Sequence, residues 1–306
     1  MKTINKILLS LLFLNNVENL NAQQKLIYKM ETKKVEYAEK ILLHMHPEKF
    51  LTFLPAINDE QIAHLYGMSI EEYQSAKKEY DGQAKNAASE LLTNADFASK
   101  IDKLPFEKNQ TVLVIGESTA DALNSWVYIL QYLLNMRRPQ DSIRVINTAI
   151  SGQTTPEALR KITTQVKYNP DWVLCHLGTN DCMRYGGVNS KTTVSIEETI
   201  LNLETIKEIV TRQTKAGFLL IAPIPIDEKK VENFPPFKTM QLSLKNSDLT
   251  EISKLLKMQT DTVIDLTEEF GNPVNPKFVQ YDGVHLTIEG QKTIVKTLIY
   301  KLSNTK

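Results

Sequence analysis

Cysteine is scarce: the 306-residue chain has two, Cys175 and Cys182. A disulfide-stapled scaffold is therefore excluded. Charge of one sign is not in excess either, since 36 Lys and Arg face 36 Asp and Glu. That balance offers no electrostatic basis for a nucleic-acid or anionic-membrane partner. No apolar run reaches the ~20 residues of a membrane span. Internal repeats and low-complexity tracts are missing. A composition 42% hydrophobic and 24% charged excludes disordered, collagen-like and coiled-coil classes. What remains is a chain long enough to bury a large core, as one big domain or as a domain plus a smaller one.

One candidate targeting segment is present. Lys2 and Lys6 flank the start of the apolar run Ile7–Leu14, and a polar stretch ends at Ala22. Residues 1–22 read as a secretory signal peptide cut before Gln23, which predicts export. Glu18 and Leu20 in the cleavage region keep a second reading open, an ordinary N-terminal helix of a cytoplasmic protein. Residues 23–105 then carry helical signals and no strand run. Asn58 and Ser69 each precede a stretch with acids in the first turn and read as N-caps. Pro47, Pro55 and Tyr80-Asp81-Gly82 are expected to punctuate these helices.

From Thr111 the pattern alternates. Apolar, β-branched runs lie at Thr111–Ile115, Ile143–Asn147, Trp172–Leu177, Phe218–Ala222 and Thr262–Leu266. Helical stretches separate or follow them: Ser118–Met136, Pro156–Lys167, Ile196–Lys215, Leu242–Lys257 and Ile288–Leu302. Continuous apolar strands alternating with helices predict a parallel sheet covered on both faces. The fold class is α/β, a three-layer α/β/α sandwich with a five-stranded parallel sheet, preceded by an all-helical N-terminal region. The expected boundaries are 23–105 for the helical region and 106–306 for the sandwich. In such folds ligands sit beyond the carboxyl ends of the strands.

Those ends carry chemically useful residues. Gly116-Glu117-Ser118-Thr119 follows the first strand and opens a helix, where backbone N–H groups surround a serine; a plain N-cap would look the same. The Gly-x-Ser-x-Gly elbow is absent, because Ala120 stands at its last position, so this is no ordinary α/β-hydrolase signature. Gly152, after the second strand, can present its N–H to a ligand or simply make a turn. Asn180 in Gly178-Thr179-Asn180-Asp181 can donate to a developing oxyanion, or form an Asx-turn. Asp282 and His285 are three apart across Gly283, which favours a turn. The acid can then hold one imidazole nitrogen while the other faces a serine. Each signal is modest alone. Together, in order and at the strand ends, they supply a nucleophile, a base, an orienting acid and three oxyanion donors.

The set Gly116-Glu117-Ser118, Gly152, Gly178-Thr179-Asn180-Asp181 and Asp282-Gly283-Val284-His285 resembles the SGNH family, the GDSL-type esterases and lipases. The resemblance covers roughly residues 111–300 and implies the flavodoxin-like form of the sandwich. It implies that Ser118 attacks an ester carbonyl, with His285 as base oriented by Asp282. It also implies that Ser118 and Gly152 N–H groups and the Asn180 amide hold the oxyanion. No metal or organic cofactor is implied. The substrate would be a small-molecule or glycan ester, with short-acyl or O-acetyl groups favoured by export. A lysophospholipase or thioesterase activity, or a non-catalytic carbohydrate-binding module, are the alternatives. The oligomeric state is not legible. Two departures stand out: Glu117 replaces the family's usual Asp, and Ala149 replaces the glycine of an Asn-x-Gly. Glu117 is expected to sit at the helix N-terminus, where the dipole favours its charge. Glu117→Gln should then cost roughly 0.3–1 kcal/mol.

Other candidates carry less. His44 and His46 are two apart, on different faces of a helix, with no accompanying acid or Cys set, so a metal site is not expected there or at His64. Cys175 and His176 are adjacent on a strand and face opposite sides, so they cannot form a dyad. Trp126 and Trp172 read as core or boundary aromatics. The segment Pro223–Lys238 is expected to border the site, and Arg184 and Tyr185 could contact substrate.

Overall fold

The structure is a computed structural model that describes residues 37–51, 57–259 and 262–304. The segment read as a signal peptide, and Pro55, lie outside the described residues.

Residues 37–44 are helical, and Pro47–Phe50 adds a single turn. Helices α1 (Asp59–Tyr66) and α2 (Ile70–Leu92) begin where the sequence predicts. Asn58 and Gln61 exchange side-chain and backbone bonds at 3.0 and 2.9 Å, and Ser69 and Glu72 do so at 3.1 and 2.7 Å. Both are reciprocal capping boxes. The expected break at Tyr80-Asp81-Gly82 does not occur: α2 runs straight through it. Ala84, Ala87, Ala88 and Leu91 bury the following two turns. That burial outweighs the ~1 kcal/mol cost of a glycine in a helix interior. Helix α3 (Ala95–Ile101) completes the region.

The sheet contains β1 (Thr111–Gly116), β2 (Arg144–Asn147), β3 (Trp172–His176), β4 (Gly217–Ile221) and β5 (Val263–Ile264). Its order is β2-β1-β3-β4-β5 and every pair is parallel. Register follows from pairs such as Leu113 with Ile146, Gly116 with His176 and Ile221 with Ile264. Successive β1 residues enter opposite cores, as the two-residue period of a strand requires. Val112 and Val114 join one cluster, Leu113 and Ile115 the other.

On the first face lie α5 (Trp126–Arg137) and α10 (Ile288–Ser303), with α2 and α3 sharing the same core through Ala87, Leu91, Phe97 and Ile101. On the second lie α6 (Thr155–Gln165), α7 (Ile196–Gln213) and α9 (Asn246–Gln259). Short helices include α4 (Ser118–Asp121) and α8 (Glu228–Asn233). A third, smaller cluster joins Ala38 and Leu42 to Ile62, Met68 and Tyr73.

Two predicted helices differ in detail. Ser118–Met136 is broken between α4 and α5, where Ala122 leaves helical geometry and Ser125 restarts it as an N-cap. In that gap Leu123 N–H donates to the Leu43 carbonyl at 3.0 Å. The helix expected from Leu242 begins only at Asn246. Leu242–Ser243 instead pair antiparallel with Arg184–Tyr185, and the Asn246 side chain is bonded to both backbone groups of Ile226 at 2.8 and 2.9 Å.

Candidate active site

Ser118 is the first residue of α4, immediately beyond β1, and is 8% exposed. Such a position leaves the first N–H groups without intrahelical partners. Among the described residues neither the Ser118 nor the Gly152 N–H has a protein acceptor. Gly152 has φ +78°, a conformation that side chains rarely adopt. The sequence predicts these two donors, and the loops that carry them are fastened together. Asn147 donates from its side chain to the Ala120 carbonyl at 2.8 Å and accepts from Ala149 N–H at 3.1 Å. Asp121, on the nucleophile turn, accepts from Ser151 N–H at 2.8 Å, and Ser151 Oγ lies 3.1 Å from it.

Asn180 reaches the same place from the end of β3. Its amide nitrogen lies 3.0 Å from Glu117 Oε2 and 3.0 Å from the Gln153 carbonyl, the residues adjoining Ser118 and Gly152. Both amide protons thus have acceptors within the protein. The neighbouring Asp181 is fully buried and anchors the turn by accepting from Thr155 N–H, Thr155 Oγ1 and Thr199 Oγ1.

Glu117 is the N-cap residue of α4, as expected, but its side chain does not serve that helix. Its side chain makes no cap bond to α4. The longer side chain turns instead to the Asn180 block, accepting from Asn180 N–H at 3.3 Å as well as from the amide. Burial raises its pKa to about 7; hydrogen bonds from Thr179 and Asn180 oppose the rise, and Asp181 adds to it. The expectation of a charge stabilised by the helix is therefore corrected. The carboxyl is stranded away from water with neutral donors only, and burial dominates.

Asp282 and His285 meet as the sequence predicts. His285 Nδ1 is 2.6 Å from Asp282 Oδ2, while Asp282 Oδ1 accepts the Val284 and His285 N–H groups, each at 2.9 Å. These bonds and the His285 partner hold the Asp282 carboxyl below its ordinary range despite burial. Gly283, at φ +81°, is the hinge of this turn. A Cβ there would meet the Asp227 carbonyl at 2.5 Å. Among the described residues no hydrogen bond joins Ser118 to the His285 ring.

Sequence reasoning missed the second ring of residues. His44 stacks on His285, with ring centroids 4.0 Å apart and planes 26° from parallel. Asp121, 0% exposed, takes His46 Nδ1 at 2.8 Å and the Lys49 ammonium. Those partners keep its carboxyl below the usual range. Lys49 also donates to the Ala149 carbonyl at 2.9 Å. An acid three residues after a candidate nucleophile was a usable signal. The histidines, more than 70 residues upstream, offered none.

The other candidates resolve simply. Pro223–Lys238 does border the site, with Phe234 against Tyr281 at 5.4 Å and Asp227 N–H on the Gly283 carbonyl at 2.9 Å. Arg184 is paired with Asp248, and Tyr185 is exposed. Cys175 and the ring contact of His176 with Trp126 fall in opposite cores. A cleft of about 320 Å³ runs beside Gly152, lined by Phe50, Ser151, Gln153, Arg160 and Lys161 among others. Among the described residues no group of three or more His, Cys, Asp or Glu could hold a metal ion, and no helix is long and apolar enough to cross a membrane.

Residues 114–293, more than half of the chain, match the profile of the GDSL-like lipase/acylhydrolase family, and the chain belongs to that family. It is a hydrolytic enzyme of the lipase and acylhydrolase class. Among solved structures, LAE5, an alpha/beta hydrolase enzyme from the metagenome of Lake Arreo, Spain, has 17% identity and a TM-score of 0.50, covering 64% of this chain and 96% of its own. A mutant of Axe2, an acetyl-xylooligosaccharide esterase from Geobacillus stearothermophilus, has 20% identity and a TM-score of 0.50, covering 66% and 97%. These likenesses concern the fold. No curated protein matches the sequence.

Proposed function

We propose that the chain is a serine esterase that works through an acyl-enzyme on short-acyl esters, with O-acetyl groups on carbohydrate as the favoured class. The observation that carries this reading is the Asp282–His285 pair at 2.6 Å; the N–H groups of Ser118 and Gly152, both without a protein acceptor among the described residues, support it. Ser118 Oγ attacks the carbonyl carbon and passes its proton to His285 Nε2, while Asp282 keeps the other nitrogen protonated and the ring oriented. The carbonyl oxygen gains charge and takes the Ser118 and Gly152 N–H groups, with Asn180 sharing a proton from its amide. Protonated His285 then gives its proton to the alkoxide oxygen as the C–O bond breaks and the alcohol leaves, and water, deprotonated by His285, attacks the acyl-enzyme and frees the acid and Ser118. The low exposure of Ser118, 8%, and the His44 ring beside the base support a short acyl group. Residues 1–22 are read as an export signal, which would bring the enzyme to extracytoplasmic glycan esters.

The test is covalent labelling. A fluorophosphonate should modify wild type and not Ser118→Ala, and p-nitrophenyl acetate should be turned over faster than longer acyl esters. Ser118→Ala should lower kcat by several orders of magnitude with an unchanged melting temperature. A folded wild-type protein that takes no label would instead be a non-catalytic binding module.

A further inference from the structure

Residues 43–49 are fixed against the site with unusual thoroughness for a segment so far upstream. The Leu43 carbonyl accepts from Leu123 N–H, and the His44 carbonyl from Ser151 Oγ. His46 and Lys49 both engage Asp121. These bonds grip the nucleophile turn and the loop of Gly152 together. What they deliver to the centre is the His44 ring, flat against His285 at 4.0 Å. The hydrogen-bonding capacity of that ring goes almost unused. Its Nδ1 is buried without a partner, and its Nε2 comes no nearer than 3.5 Å to the Gln280 amide. The contact that defines its place is the stacked face.

We propose that His44 is a positioning residue for the catalytic base, its ring holding the His285 imidazole in the orientation that presents Nε2 to Ser118. This rests on the serine-esterase reading. The bond to Asp282 fixes only one atom of the His285 ring, and the second side-chain torsion of histidine is soft. A flat neighbour at stacking distance removes that remaining swing. The groups facing His44 are His285, Asp282, His46 and the neutral Gln280. Burial, and then His285, hold the His44 imidazole well below the usual range. It is therefore a neutral π face when His285 becomes cationic in the reaction, and so favours that charge instead of repelling it.

The experiment compares His44→Phe, His44→Leu and His44→Ala, using p-nitrophenyl acetate turnover and the rate of fluorophosphonate labelling. His44→Ala should lower kcat by about 10- to 100-fold, the scale of a misplaced catalytic group, with KM little changed. Labelling should slow in parallel. His44→Phe should restore most of both rates, and His44→Leu, similar in bulk but without a flat face, should not. If His44→Ala fails to fold by circular dichroism, the Phe and Leu pair decides. Wild-type kcat in His44→Ala, or Leu performing as well as Phe, would overturn the proposal. An unlabelled wild type would instead overturn the serine-esterase reading beneath it.

Discussion

Asp282 and Glu117 are two carboxyl groups of one site, both nearly inaccessible, and they respond to burial in opposite directions. Asp282 is pulled below its ordinary range, whereas Glu117 rises to about 7. The difference lies in their partners. Asp282 faces an imidazole that can carry positive charge, plus two backbone N–H groups. Glu117 faces only neutral donors on Thr179 and Asn180, with the Asp181 carboxyl nearby. Asp121 belongs with Asp282, since His46 and Lys49 offset the cost of burying it completely. Depth therefore does not set the charge of a carboxyl here; a cationic partner does.

Asp282→Asn attacks the favourable side of this contrast most severely. The Asn oxygen can keep the Val284 and His285 N–H groups, which turns its NH2 toward His285 Nδ1. The imidazole must then carry its proton on Nε2, where it cannot accept from Ser118. A loss of about 10⁴-fold in kcat is expected, with little change in KM. Ester turnover kinetics check it, and a loss below tenfold would break the assignment of Asp282.

Glu117→Gln probes the unfavourable side, and its effect on stability has the sign opposite to the helix-dipole expectation. Between pH 4.5 and about 7 the folded protein holds the Glu117 proton more tightly than the unfolded chain does. Wild-type stability therefore falls as pH rises through that window. The move from 4.5 to about 7 corresponds to about 3 kcal/mol. Glu117→Gln lacks this loss, so its advantage over wild type should grow from pH 5 to pH 8. Urea unfolding of both proteins at the two pH values measures it. A constant difference would mean that Glu117 does not titrate in this range.

Asp121→Asn sharpens the comparison with a smaller effect. It places an NH2 among donors that now share a carboxylate, and should cost about 2 kcal/mol at neutral pH. Because the folded value lies below 3.8, that stabilisation is present above pH 3.8 and is lost as pH falls through the folded value. The gap between wild type and variant in thermal melts should narrow on acidification.

The sheet was legible because each strand announces itself within five or six residues. Leu113, Ile115, Val173 and Cys175 need no distant information to read as a strand buried on both faces. Candidate site residues were legible where they lie at strand ends, as Ser118, Gly152 and Asn180 do, or within one turn, as Asp282 and His285 do. Glu117 takes the N-cap position of α4 as expected, but the direction of its side chain was not legible. Its direction is chosen by the Asn180 turn, 63 residues away. His44, His46 and Lys49 were invisible for the same reason, because their partners Asp121 and His285 are met only after the whole sandwich has closed. The break after Asp121 is likewise settled by a tertiary bond, from Leu123 to Leu43.

The first core takes side chains from α2 and α3 as freely as from β1, α5 and α10. Ala87, Leu91, Phe97 and Ile101 sit in one continuous apolar mass with Val112, Leu130 and Leu298. Neither set can leave water-free contact without uncovering the other. Heat should consequently melt α2 and α3 together with the sandwich. These two helices thus share a core with the sheet that follows them in sequence.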